Sequence, residues 1–159
     1  MASSVTAELL KQLSTASESL NRASDSFNEQ IRVIEEALAS YNVGVSAWAH
    51  AYTRCEEDYD QDGNVRGVIE THYSIGYQKS GGKWCLMAAS EGDDEYPGDS
   101  RTEWILRDAP REIRMKAIGS IPKLLEKLVE EATKLAAEVS NKTAEARVLA
   151  ASIKPRKGQ

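Results

Sequence analysis

The segment DYDQDGNV, at residues 58–65, has residue types closer to those of a metal-binding loop than any other stretch of the sequence. Asp58, Asp60 and Asp62 place carboxylates at alternate positions, as calcium-binding loops do. Such a loop also needs a carboxylate at its twelfth position and a helix on each side. Here the twelfth position is Ile69, and both flanks favour strands. We interpret the segment as the acidic turn of a β-hairpin. A calcium site is the alternative, and no other cofactor is expected.

A second acidic segment, EGDDEYPGD at residues 91–99, connects the last two predicted strands. In an up-and-down sheet the first and third connections lie at the same end, so the two acidic segments should lie together. The whole chain carries a net charge of −5, so an end this acidic leaves the remainder of the molecule basic. We interpret the acidic end as a solvated surface, or as a docking surface for a basic protein partner.

Three arginines, Arg107, Arg111 and Arg114, follow one another at steps of four and three residues, which places them on one side of a helix. Guanidinium groups in such an array can bind phosphate or carboxylate groups. The alternative is a solvated helix face that pairs with neighbouring acidic residues. Because the sequence pI is about 5.2, general nucleic-acid binding is not expected. The functional interpretation is a small anionic, nucleotide-like ligand held near a subunit interface.

Large aromatic residues are concentrated in the predicted sheet. Five of them share one face in the predicted register: Trp48, Tyr52, Tyr73, Tyr77 and Trp84. Rings in this arrangement either pack against covering helices as part of the core or form the floor of a ligand recess. Both interpretations remain open from the sequence alone.

The chain has two histidines, His50 and His72, and two cysteines, Cys55 and Cys85. A zinc site made from them is rejected, because the predicted strand pairing separates Cys85 from His72 by about 20 Å. His50 is predicted to pack on the aromatic face. The sequence shows no nucleophile motif and no paired carboxylates outside loops, so we expect a protein that is not an enzyme.

The Gly81-Gly82 pair organises the predicted sheet. It supplies the positive φ angles of a two-residue hairpin turn, and residues 65–89 around it are rich in aromatic and β-branched side chains. This turn fixes a register between the two strands that it joins. The cross-strand partners in that register are Tyr77 with Leu86, Ile75 with Ala88, Lys79 with Trp84, Gln78 with Cys85, Gly76 with Met87, and Ser74 with Ala89.

The first strand is predicted at residues 43–53, joined to the second by a turn at Asp62-Gly63. The resulting register predicts three further pairs: Trp48 with Tyr77, His50 with Ile75, and Tyr52 with Tyr73. The small residues Ala47, Ala49 and Ala51 would then lie on the opposite face. A last strand is predicted at residues 102–107.

Long helices are predicted on both sides of the sheet. The seam of the first has a heptad spacing with one stutter and consists of Leu9, Leu13, Ala16, Leu20, Ala23, Phe27, Ile31, Ile34, Leu38 and Tyr41. The C-terminal helices are predicted to begin with Asp108 as N-cap and Pro110 in the first turn, and to break at residues 119–122. Their seam consists of Ile121, Leu125, Leu128, Ala132, Leu135 and Val139, and it continues through Lys142 to Ala146, Leu149 and Ile153.

The sequence therefore predicts a single α+β domain over residues 1–159. It comprises a helix at 4–41, a three- or four-stranded antiparallel sheet within 43–107, a broken helix at 109–153 that packs with the first, and a basic tail at 154–159. A helix of 35 residues spans about 50 Å, whereas a strand of ten residues spans about 33 Å. The helices outrun the sheet, so their protruding apolar seams must meet each other or a second chain.

The function predicted from these features is that of a homo-oligomeric binding or adaptor protein, which acts through its charged ends and its coiled-coil-like seams. A small-ligand binder that uses the three arginines is the alternative, and a divalent-cation-binding protein is the third possibility. Two cysteines are too few for a disulfide framework, and neither a leader nor a membrane span is recognisable. We therefore expect a cytoplasmic location.

Overall fold

The computed structural model describes residues 2–92 and 101–153, with side chains from residue 4. Its elements in chain order are α1 (Ala2–Ser40), β1 (Ala47–Tyr59), β2 (Val65–Ser80), β3 (Lys83–Gly92), β4 (Arg101–Ile105), a 3₁₀ turn (Leu106–Asp108), α2 (Arg111–Ala117), a second 3₁₀ turn (Ile118–Ser120) and α3 (Ile121–Ser152). The strands form one antiparallel sheet in the order β1-β2-β3-β4. The predicted α+β architecture is confirmed. The basic tail and most of the second acidic segment lie outside the described residues.

The hairpin formed by β2 and β3 has the predicted register. Tyr77 lies opposite Leu86, Ile75 opposite Ala88, and the other predicted pairs also form. Gly81 and Gly82 have φ angles of 56° and 84°, in the left-handed region where a side chain would be strained. A local pattern, the Gly-Gly turn with alternation on both flanks, was enough to determine this part of the sheet.

The pairing of β1 with β2 is as predicted from Tyr52 to Asp58, but it is shifted by one residue before that point. A β-bulge between His50 and Tyr52 places Ala47 opposite Tyr77 and moves every earlier side chain to the other face. The predicted placement of Trp48 and His50 on the aromatic face is therefore wrong. They lie on the face that the helices leave uncovered, and His50 is exposed.

Trp48 has a specific site on that open face. It pairs with Gly76, and a Cβ atom added at Gly76 would lie only 2.4 Å from the indole ring. The Arg101 guanidinium covers the ring at 4.6 Å from its centroid. On the covered face, the small side chains of Ala47 and Ala49 are instead buried in the core. The bulge therefore allows both faces to pack. On one face the Trp48 indole lies on the surface that Gly76 leaves open, and on the other the small alanines enter the core.

Replacement of Gly76 by alanine should therefore destabilise the fold, because the indole or the strand must shift to admit the methyl group. We expect a loss of about 1–3 kcal/mol, as for other overpacked sites. Gly67→Ala is the matched control, since Gly67 also lies in β2 and its added Cβ would meet nothing within 4 Å. Urea denaturation of both variants measures the difference. Equal stabilities would show that the indole does not rest on Gly76.

The three helices pack on one face of the sheet. Ile31 of α1 and Leu124 of α3 are fully buried, together with Ile75 and Leu86 of the sheet. Leu38 of α1 packs against the same cluster. The first and last helices therefore contribute to one core on the same face of the sheet.

The ends of the helices follow the sequence with one exception. Asn42 and Gly44, with φ angles of 48° and 68°, lead the chain out of α1 as predicted. The predicted break before α3 is the 3₁₀ turn Ile118–Ser120. Asp108 is not an N-cap, however, because burial of Leu106 draws the chain after β4 into a 3₁₀ turn, and Pro110 occupies the N-cap position of α2. Among the described residues, no helix is long and apolar enough to cross a membrane.

Candidate interaction surfaces

The three arginines of the predicted anion site have different roles in the structure. Arg114 is only 8% exposed, and its guanidinium donates to the Arg107 carbonyl oxygen and the Ser24 hydroxyl, each at 3.1 Å, and to the Asn28 side-chain oxygen. The side chain of Arg107 instead forms an ion pair with Glu35, with Nε 3.1 Å from Oε2. These two arginines hold α1 against the segment that follows β4, so they do not converge with Arg111 on one anion.

Arg111 is the arginine that remains available. It lines a groove of about 350 Å³ between α1 and α2, together with Leu20, Ala23, Ser24, Phe27 and Met115. Its Nε atom is buried without a hydrogen-bond partner. Within the described part of the chain, Arg111 forms no ion pair with a carboxylate. The groove is otherwise mainly apolar, which differs from the three-arginine phosphate site expected from the sequence.

Glu35 is a buried acidic residue that sequence reasoning missed. Its Oε1 atom accepts the Leu86 N–H at 3.0 Å, at a point where β4 has already ended with Ile105 opposite Met87. The carboxylate therefore completes the hydrogen bonding of β3 at its unpaired edge. Burial raises the pKa of Glu35, an effect opposed by the Leu86 N–H and by Arg107. The sequence carried a signal for this burial, because Glu35 lies one helical turn after Ile31, a core residue on the same side of α1.

Four of the five predicted aromatic residues lie on the helix-covered face as two stacked pairs. The ring centroids are 4.4 Å apart for Tyr52 and Tyr73, and 5.4 Å apart for Tyr77 and Trp84. Tyr77 is only 3% exposed, and burial raises the pKa of Tyr52 to about 12. These features favour core packing over a ligand recess. Trp48 takes no part, since the bulge turns it to the other face.

The acidic hairpin is longer than predicted and extends beyond the rest of the sheet. β3 ends at Gly92, which pairs with Thr71, and Thr71 pairs in turn with Arg54 of β1, so residues 55–70 form a two-stranded ribbon with one strand on each side of its turn. The turn lies about 23 Å beyond Gly92, from seven residues at about 3.3 Å each. Residues 55–70 carry six carboxylates against one arginine. The second acidic segment was predicted to lie beside this turn, but its residues 93–99 lie outside the described residues.

The carboxylate of Asp60 closes the turn of this ribbon. Its Oδ1 atom accepts the N–H groups of Asp62 at 2.9 Å and Asn64 at 2.8 Å. Hydrogen bonds from Asn64 are the main reason that the pKa of Asp60 is lowered. Asp58 belongs to β1, so the three carboxylates of the predicted calcium loop do not share one turn. Calcium binding here stays a prediction.

The two histidines lie together on the open face of the sheet. Their ring centroids are 6.1 Å apart, and the Thr53 hydroxyl lies 3.0 Å from Nδ1 of His72 and 3.4 Å from Nε2 of His50. Cys85 lies elsewhere, with its Sγ atom 3.7 Å from the Sδ atom of Met87. In residues 2–92 and 101–153, no group of three or more His, Cys, Asp or Glu side chains could hold a metal ion.

The largest unsatisfied surface belongs to the two long helices. Every residue of α1 from 4 to 23 is exposed, as is every residue from 133 to 153 of α3 and its C-cap. We call residues 4–23 and 133–153 the free halves of α1 and α3. Their exposed seam residues include Leu9 (58%), Leu13 (65%), Leu20 (49%), Leu135 (41%), Val139 (55%), Leu149 (62%) and Ile153 (71%). The predicted seams are present, and within the described chain neither free half covers the other.

The free halves leave the rest of the domain at opposite ends. Leu38 and Tyr41, at the end of α1, line a groove with Leu125 and Val129 of α3. Further upstream, α1 lines its groove with α2, which precedes α3 in the chain. From its middle to its end, α1 is therefore flanked first by α2 and then by the first part of α3. Because α2 precedes α3 in the chain, α1 and α3 run in the same general direction. The first half of α1 and the second half of α3 must then project in opposite directions.

Comparisons with known proteins found no relative of this chain. The sequence matches no protein-family model and no curated protein, and the fold matches no solved structure.

Proposed function

We propose that this chain is a non-enzymatic, homo-oligomeric adaptor protein, which assembles through the free halves of α1 and α3. The observation that carries the proposal is the exposure of both heptad seams over about 20 residues each. A soluble chain gains roughly 1.5–3 kcal/mol for each large apolar side chain that it buries, so seams of this length favour association.

The acidic ribbon at residues 55–70 is the surface that the assembled protein would present. Its side chains are almost all exposed, and its excess of carboxylates fits a basic partner surface. Because the helices pack on the body of the sheet, the ribbon remains open when the seams are covered. Assembly and partner binding therefore use different parts of the chain.

A second candidate function is the binding of a small anion with an apolar part. The groove between α1 and α2 favours it, because Arg111 supplies a positive charge without a carboxylate partner among the described residues while Leu20, Phe27 and Met115 supply apolar walls. This differs from the nucleotide-like ligand expected from the three arginines, since Arg107 and Arg114 are engaged elsewhere.

Native mass spectrometry on freshly purified protein tests both candidates together. The adaptor proposal expects a multiple of the 17.5 kDa chain mass at micromolar concentration. A bound ligand would appear as added mass, and Arg111→Ala should remove it if the groove is its site. A wild-type protein that remains at 17.5 kDa in this experiment and in light scattering would contradict the adaptor proposal.

A further inference from the structure

The two free halves match each other in length and project from opposite ends of the domain. Each is about 20 residues long, or roughly 30 Å of helix. A second copy related by a two-fold axis perpendicular to the helices would bring its α1 free half beside the α3 free half of the first copy. The same operation pairs the other two free halves at the far end. Both seams of both chains are then covered, and the assembly is closed.

We propose that two copies of this chain form such a closed dimer, in which the free half of α1 in each copy packs antiparallel against the free half of α3 in the other. This inference rests on the proposed function, since it specifies how the oligomer is built. It assigns the occupant of both exposed seams to a second copy of the same chain.

The heptad positions of the two seams agree with antiparallel pairing. In an antiparallel pair, each seam position of one helix meets the alternate seam position of the other. Opposing the two free halves over their whole length gives the following layers between copies: Leu20 with Leu135, Ala16 with Val139, Leu13 with Lys142, and Leu9 with Ala146. Large residues meet small or linear ones in most layers, which suits interdigitating packing. The Lys142 ammonium already lies 2.8 Å from Glu145 at the helix surface, so its stem can pack on Leu13.

The residues that flank the seams distinguish this pairing from the alternatives. On one side of the α3 seam three successive flanking residues are glutamates: Glu131, Glu138 and Glu145. The corresponding positions on α1 are Gln12, Ser19 and Ser26, which donate hydrogen bonds. In the proposed register Gln12 meets Glu145 and Ser19 meets Glu138, so each carboxylate faces a neutral donor.

Pairing of like helices is disfavoured on physical grounds. Two α3 helices packed antiparallel would oppose their glutamate rows, and two packed parallel would oppose Lys142 with the same lysine of the other copy. Two α1 helices could pair without charge repulsion, but in a two-fold dimer the α3 seams would then lie at distant ends and stay exposed. Reciprocal pairing of α1 with α3 covers both seams at once.

A charge-complementation experiment tests the pairing in the full-length chain. Gln12→Glu with Ser19→Glu should place acidic residues against Glu145 and Glu138 and weaken the dimer by about tenfold or more. Adding Glu138→Lys and Glu145→Lys to the same chain should restore the affinity. The matched control is Ser14→Glu with Asn21→Glu, which adds the same charge on the outer face of α1. Analytical ultracentrifugation measures the dissociation constants.

Cysteine crosslinking separates the failure of this inference from the failure of the proposed function. In a Cys55→Ser background, an exchanged mixture of Ala16→Cys and Val139→Cys chains should form disulfide dimers, while each variant alone should not. Crosslinking of Ala16→Cys alone, or a lack of rescue by the lysine substitutions in a protein that still assembles, would overturn reciprocal pairing and leave the adaptor proposal standing. A monomeric wild type would overturn both.

Discussion

Glutamates in place of Leu135 and Val139 should convert the assembled protein into a folded monomer. Both side chains are exposed in the single chain, at 41% and 55%, so their replacement removes nothing from the core. In the oligomer each would lose burial worth roughly 1.5–3 kcal/mol and would bring a charge into an apolar layer. With two substitutions in each subunit, we expect association to weaken at least about a hundredfold. Light scattering across a concentration series measures the change.

The control for this variant is Ala137→Glu with Ala144→Glu. These positions are also exposed on the free half of α3, but they lie on the side opposite the seam. The control should keep the oligomeric mass of the wild type, and both variants should unfold at nearly the same denaturant concentration. If the seam variant also keeps that mass, α3 does not take part in assembly through this face.

The sequence predicted the parts of the sheet that depend on local signals. The Gly81-Gly82 turn and its alternating flanks determined the β2–β3 register completely. The β1–β2 register was right only on the side of the bulge nearer the turn, because the extra residue, Ala51, has no distinctive side chain. The clue was the pairing partner. Gly76 offers a flat surface for an indole, but that fact becomes informative only when both strands are considered together.

The arginine cluster shows a different limit of sequence reasoning. Helical spacing predicted one array of Arg107, Arg111 and Arg114, but Arg107 lies in the 3₁₀ turn before α2, and spacing carries no information about which guanidinium group becomes buried. Arg114 is buried because Ile113 and Ala117, next to it on α2, are core residues and α1 covers that side. The apolar seams repeat over many turns and could be recognised from the sequence. Their exposure follows from the opposite ends at which the free halves leave the domain, and not from helix length alone, because β2, with 16 residues, is about as long as α3, with 32.

The second large effect is expected at Glu35, where a buried carboxylate completes the edge of β3. Glu35→Met keeps the size of the side chain but leaves the Leu86 N–H without an acceptor, which should cost about 1–3 kcal/mol of unfolding free energy. Glu35→Gln is the matched variant, since its amide oxygen can still accept this N–H, and it should be close to wild type. Urea denaturation at one pH measures both. Equal losses for the two variants would assign the role of Glu35 to its ion pair with Arg107 instead.

The stabilities of wild type and Glu35→Gln should also depend differently on pH, and the sign of the difference follows from the pKa shift of Glu35. Burial raises the folded-state pKa of Glu35 above its ordinary value, so the folded state binds this proton more tightly than the unfolded state does. The resulting stabilisation is fully present below the ordinary carboxyl pKa and is lost as the pH rises through the raised value. Wild-type stability should therefore decline relative to Glu35→Gln as the pH rises from the ordinary carboxyl pKa through the raised pKa of Glu35. A difference that grows in the opposite direction would mean that Arg107 and the Leu86 N–H outweigh burial, and that the carboxylate is stabilised by its site.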